Sequence, residues 1–124
     1  MELMVVVAIS GILMAAAVPT FLGARNNANA NACVANLEII KSATREWALD
    51  NPSLAVATHA ILVSEIDGYV DSGFDSLDEP GTGRYSEGQG ADATWDTSDD
   101  VVVTMDASGN IPNPTCSAGG DHTL

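Results

Sequence analysis

The stretch Glu2-Leu3-Met4-Val5-Val6-Val7-Ala8-Ile9-Ser10-Gly11-Ile12-Leu13-Met14-Ala15-Ala16-Ala17-Val18-Pro19 decides how this chain of 124 residues is built. After the carboxylate at its entrance, no charged side chain occurs from Leu3 to Leu22. At about 1.5 Å rise per residue, a helix over those positions spans the ~30 Å hydrocarbon core of a bilayer. The segment therefore lies in a membrane or is covered by protein. A secretory signal peptide would need a basic region ahead of its apolar core. Only Met1 and Glu2 stand there, although Ala15 to Ala17 imitate a cleavage site. A one-pass anchor fits the length but leaves the acid unexplained, because a charged side chain deep in hydrocarbon costs about 3 kcal/mol and gains nothing there.

A third reading gives the acid a role. Glu2, Gly11 and Pro19 fall at the spacing of the N-terminal segment of type IV pilins and the related pseudopilins of type II secretion. The run from Glu2 to Leu13, followed by Pro19, closely resembles that segment. The resemblance implies a pilin fold of the α+β class, in which a long N-terminal helical spine carries a small C-terminal antiparallel sheet. It implies that the spine is kinked or partly unwound near Gly11 to Pro19. The subunit would sit first in the inner membrane and then be moved by a pilus assembly machinery into a helical homopolymer on the cell surface. Glu2 would meet the N-terminal amine of a neighbouring copy and set the register, since such a pair in a dry core is costly to leave half made. N-terminal methylation, cell adhesion and motility belong to the same family picture. In the family a few residues, beginning with a methylated phenylalanine, precede this glutamate. Here only Met1 does, so the sequence is expected to begin part-way into the mature segment, and no residue is assigned to processing.

Working outward, Thr20 to Ala32 alternates alanine with asparagine, which keeps a helix while making it polar. Cys33, Leu37, Ile40, Thr44 and Trp47 then recur at spacings of four, three, four and three, the stripe of a helix docked along one face. Asp50-Asn51-Pro52 is a stop signal. One helix from about Leu3 to Leu49 would be ~70 Å long. The expected organisation is a hydrophobic helix over 1–24, its amphipathic continuation over 25–51 and a loop-rich acidic β domain over 52–124. Pro52 to Gly73 reads equally as a short helix, a strand or an irregular linker. Ser64 to Val70 resembles the short segment ahead of the sheet in several pilins and major pseudopilins, and Asp78 to Tyr85 loosely resembles a pseudopilin turn without its tryptophan. Val101 to Met105 is the clearest strand, Asp106 to Asn110 the clearest turn, and a sheet of three strands is expected.

The net charge is −13, and from Glu65 onward only Arg84 is basic. Such a surface repels phosphate backbones, so direct nucleic-acid binding is not expected. Cys33 and Cys116 are the two cysteines of a chain whose first segment implies export. An oxidising compartment favours one disulfide between them, strapping the C-terminal tail to the middle of the helix; the other reading is a reduced pair. His59 and His122 stand apart and read as ordinary surface residues. No cofactor is required. The one cation for which the sequence holds a candidate site is calcium, at Asp92, Asp96, Asp99 and Asp100. A flexible Asp-rich loop can supply the six to eight oxygens that calcium takes, although the spacing is not that of an EF-hand. Major pseudopilins carry calcium in a comparable loop.

No nucleophile motif, phosphate loop or Cys/His zinc cluster occurs, and the small core leaves little room for a catalytic pocket, so no catalytic residue is assigned and no enzyme activity is expected. The sequence thus predicts a filament subunit, with Gly11 and Pro19 as points of helix unwinding. Two alternatives remain: a major pseudopilin acting in protein secretion, and a monomeric membrane-anchored binding module.

Overall fold

Residues of good helical propensity dominate the first fifty positions, and in the computed structural model they form one helix, α1 (Glu2–Asp50), of 49 residues. At 1.5 Å per residue it is about 74 Å long. The structure describes residues 2–77, 84–90, 94, 98–117 and 124. The expected unwinding between Gly11 and Pro19 is not present in the single chain: α1 runs through both residues. Proline deletes one backbone donor, whereas the hydrogen bonds on either side remain. Nearby hydroxyls bond back into the same turns, Ser10 Oγ to the Val6 carbonyl (2.8 Å) and Thr20 Oγ1 to the Ala16 carbonyl (3.2 Å).

The helix ends where the sequence signals it. Pro52 disfavours helical geometry at the residue before it, and Asn51 closes the last turn twice on the Trp47 carbonyl, through its backbone N–H (2.9 Å) and its side-chain amide (3.0 Å). Tyr69 then donates its hydroxyl to Asp50 (3.2 Å), tying the end of α1 to the chain that returns across it.

The stretch that read three ways proves to be a succession of short elements. Turns occupy 52–58, followed by β1 (Ala60–Leu62), a single helical turn α2 (Val63–Ile66) and a 3-10 turn at Asp67–Tyr69. Thr58 (φ 65°) and Ser72 (φ 78°) take left-handed backbone geometry, which costs a side-chain-bearing residue roughly 1–2 kcal/mol. Surrounding contacts outweigh this cost; the Thr58 N–H reaches the Asp106 carbonyl (3.3 Å). The segment Ser64 to Val70, expected ahead of the sheet, in fact follows β1.

The expected strand forms as β2 (Val101–Thr104), antiparallel to β1 with Ala60 opposite Thr104, Ile61 opposite Val103 and Leu62 opposite Val101. The register slips between Ile61 and Leu62, and this bulge lets consecutive Val102 and Val103 both point inward. Instead of three strands the described residues contain two. In place of the third, Gly88 makes an isolated bridge to Val101. The next turn forms as read: Asp106 accepts from the N–H groups of Ser108 (2.7 Å) and Asn110 (2.9 Å), and Gly109 sits at φ 79°.

One core joins these pieces. All five residues of the helical stripe (Cys33, Leu37, Ile40, Thr44 and Trp47) are buried, and they pack with Ile61, Val63, Ile66, Phe74, Tyr85, Val102, Val103 and Met105. The molecule is therefore an α+β protein whose long N-terminal helix carries a small antiparallel sheet on its second half.

Candidate assembly surface

The same helix has two different surroundings along its length. From Cys33 onward it has a buried face; before Asn29 every described side chain is exposed. Twelve large apolar side chains between Leu3 and Leu22 each expose half or more of their surface, from Leu22 at 50% to Leu3 at 82%. Covering a Val, Leu, Ile, Met or Phe side chain contributes about 1.5–3 kcal/mol, so this half of α1 favours leaving water by tens of kcal/mol. It is long and apolar enough to cross a membrane. Of the two large aromatic residues on α1, Phe21 is 68% exposed, whereas Trp47 is buried.

Glu2 opens α1; its side chain lies outside the described residues. Gly11 has nothing within 4 Å of where a Cβ would stand, and Gly23 likewise. Helical glycine costs roughly 1 kcal/mol relative to alanine, and nothing inside the single chain compensates for it at these two positions. Arg25 is the next charged residue. It is exposed and makes no ion pair with any described residue.

Where α1 meets the globular part, a shallow groove of about 790 Å³ runs between the helix and the chain from Tyr69 to Leu77. Glu38, Glu46 and Asp71 line it together with exposed Ile39 and half-buried Tyr69 and Leu77. Burial and then the hydrogen bond to Asp50 raise the Tyr69 phenol above its ordinary value.

The remaining site residues divide between tie and loop. Cys33 and Cys116 form the expected disulfide, with Cα atoms 6.8 Å apart and both side chains buried. Of the four acids read as a calcium loop, Asp92 and Asp96 lie outside the described residues. Asp99 is half-buried. The fully buried Asp100 plays a structural part, accepting the Gly90 N–H and, at 3.4 Å, the Ser86 hydroxyl. It thereby holds the 86–90 segment against β2. Gly90 is required there, since a Cβ would fall 2.3 Å from the Asp99 carboxylate and 2.7 Å from its carbonyl oxygen. Among the described residues no group of three or more His, Cys, Asp or Glu converges on a point that would suit a metal.

His59 is not a lone surface residue. Its ring stacks on Trp47 with centroids 5.3 Å apart and planes 12° from parallel, and Nε2 lies 3.3 Å from both Glu65 oxygens. Glu65 also accepts the Leu62 N–H (2.9 Å), so this trio fastens the end of α1 to β1 and α2. Sequence reasoning missed it because the residues are brought together only when the chain folds back over Trp47, and Leu62 lacks the hydroxyl that would mark a capping box with Glu65. His122 lies outside the described residues.

No protein-family model, curated protein or solved structure matches this chain.

Proposed function

We propose that the chain is the repeating subunit of a type IV pilus or pilus-like filament, with the first half of α1 forming the filament core and the acidic domain facing solvent. The observation that carries this reading is the exposed apolar surface from Leu3 to Leu22 on a helix continuous with the spine of the domain. A bilayer covers such a surface while the subunit waits in the inner membrane, and neighbouring copies cover it after assembly. Two further features support the reading. The Glu2 to Pro19 pattern resembles the pilin segment, and Gly11 sits in open space, where a second helix can approach closely. The disulfide suits a filament exposed to an oxidising exterior.

The test is the sheared-fibre fraction of cells carrying the full chain. A filament subunit enters it, and Glu2→Ala lowers the yield at least tenfold by removing the carboxylate that fixes register. A chain that stays monomeric in detergent and never reaches that fraction is a membrane-anchored module instead. Fibres confined to the periplasm identify the secretion pseudopilin.

A further inference from the structure

We propose that the acidic groove between α1 and the Tyr69–Leu77 segment receives Arg25 from a second copy of this chain. The inference rests on the filament reading and specifies a contact within it. With a net charge of −13 per copy, side-by-side assembly brings like charges together, a cost that grows as water is excluded. Relief has to come from the few cations. Arg84 lies within the globular part, and Lys41 and Arg45 project from the docked half of α1. Arg25 alone stands on the half of the helix that protrudes from the domain.

Its position makes a partner necessary. Arg25 follows the apolar surface by less than one turn, so packing that surface against other copies takes the guanidinium out of bulk water. A desolvated charge left unpaired costs several kcal/mol, whereas one that meets carboxylates is repaid. Among the described residues nothing in its own copy serves. Along one continuous helix, the 13 residues from Arg25 to Glu38 and the 21 to Glu46 correspond to about 20 and 31 Å, beyond the reach of a side chain.

The groove has the complementary chemistry. Glu38, Glu46 and Asp71 line it and make no ion pair with any described residue, so acceptor oxygens are available without breaking a contact. Exposed Ile39 and the half-buried Leu77 suit the aliphatic stem of an arginine, which places its charged head among carboxylates while its methylenes lie on apolar surface. On the donor side, Gly23, Ala24 and the Asn/Ala run after Arg25 are small, so the helix can come close enough to insert the side chain. The neighbour is consequently displaced along the filament by about 20–31 Å, the helical distance from Arg25 to the two glutamates.

Charge reversal tests the contact. Arg25→Glu should reduce the sheared-fibre yield at least tenfold, and adding Glu38→Arg with Glu46→Arg should restore it to within about threefold of the native level, an attraction of one close charge pair. All three positions are exposed, and unchanged circular dichroism with an intact disulfide by mass verifies that each variant is folded. As a second measurement, Asn26→Cys combined with Ser42→Cys in the native charge background is treated with a short bismaleimide. The two thiols are about 24 Å apart within one copy, so a covalent ladder reports the intermolecular contact. Native-like fibre yield for Arg25→Glu, failure of the acid reversals to restore it, or fibres that give no ladder would each overturn the contact while native fibres leave the filament reading intact. If the native chain makes no fibres, both are wrong.

Discussion

Asp106 shows how one carboxylate can organise a turn. It accepts from the backbone of Asn110 and Ser108 and from the Asn110 amide (3.1 Å), and its own N–H reaches the Asn110 carbonyl (3.0 Å). The Asn110 backbone bond chiefly holds its carboxyl below the ordinary value of 3.8, against a smaller opposing effect of burial. A depressed acid contributes stability that is present above its unfolded value and lost as pH falls through the folded one. The urea midpoint of the native chain should therefore drop below about pH 3.8, and Asp106→Asn should lack this part of the drop, so the two proteins converge in acid. Equal midpoints at neutral pH, or a gap that widens in acid, would remove this role. Gly90 and Asp100 present the opposite situation: their structural part cannot be read from residue type, and only the complete burial of Asp100 and its bond from the Gly90 N–H disclose it.

At the scale of the element, α1 is two helices in physical terms. Its first half has no buried face and takes its surroundings from outside the chain. Its second half is held by a stripe visible in the sequence as apolar spacing, and every stripe residue is buried. Trp47 ends that stripe and is 3% exposed against His59. Trp47→Ala should cost about 3–5 kcal/mol, read as a fall in the urea midpoint by circular dichroism, through the lost area and the void left beneath the ring. Loss below about 1 kcal/mol would mean that the stack contributes little. The strand β2 was legible because Val101 to Val103 are β-branched and a turn follows. β1 was not, since three residues among alanines and a histidine carry too little pattern to separate strand from helix.

For the molecule as a whole, the small domain gains from its strap. Joining residues 33 and 116, 83 positions apart, restricts the unfolded chain and is worth about 2–5 kcal/mol. Replacing both cysteines by serine should lower domain stability by that amount and leave the helicity of the apolar half unchanged in detergent, because no described residue of the domain covers it. Alkylation without reductant followed by mass measurement verifies the starting bond: the native cysteines should gain no mass. A simultaneous loss of helicity throughout α1 would instead show that the two halves unfold together.

By itself the sequence determined the long helix, its apolar and amphipathic halves, the stop at Asn51-Pro52, the β2 strand and the turn after it. Each depends on periodicity or turn chemistry within a few residues. Only the tertiary structure decided that α1 passes unbroken through Pro19 in the single chain, that β1 pairs with β2, that His59 closes on Trp47 and Glu65, and that Asp100 anchors the 86–90 segment. The strand pairing joins residues about forty positions apart and the burial of Asp100 depends on the whole core, while the helix at Pro19 reflects a balance between one missing hydrogen bond and its intact neighbours; no local pattern encodes these outcomes.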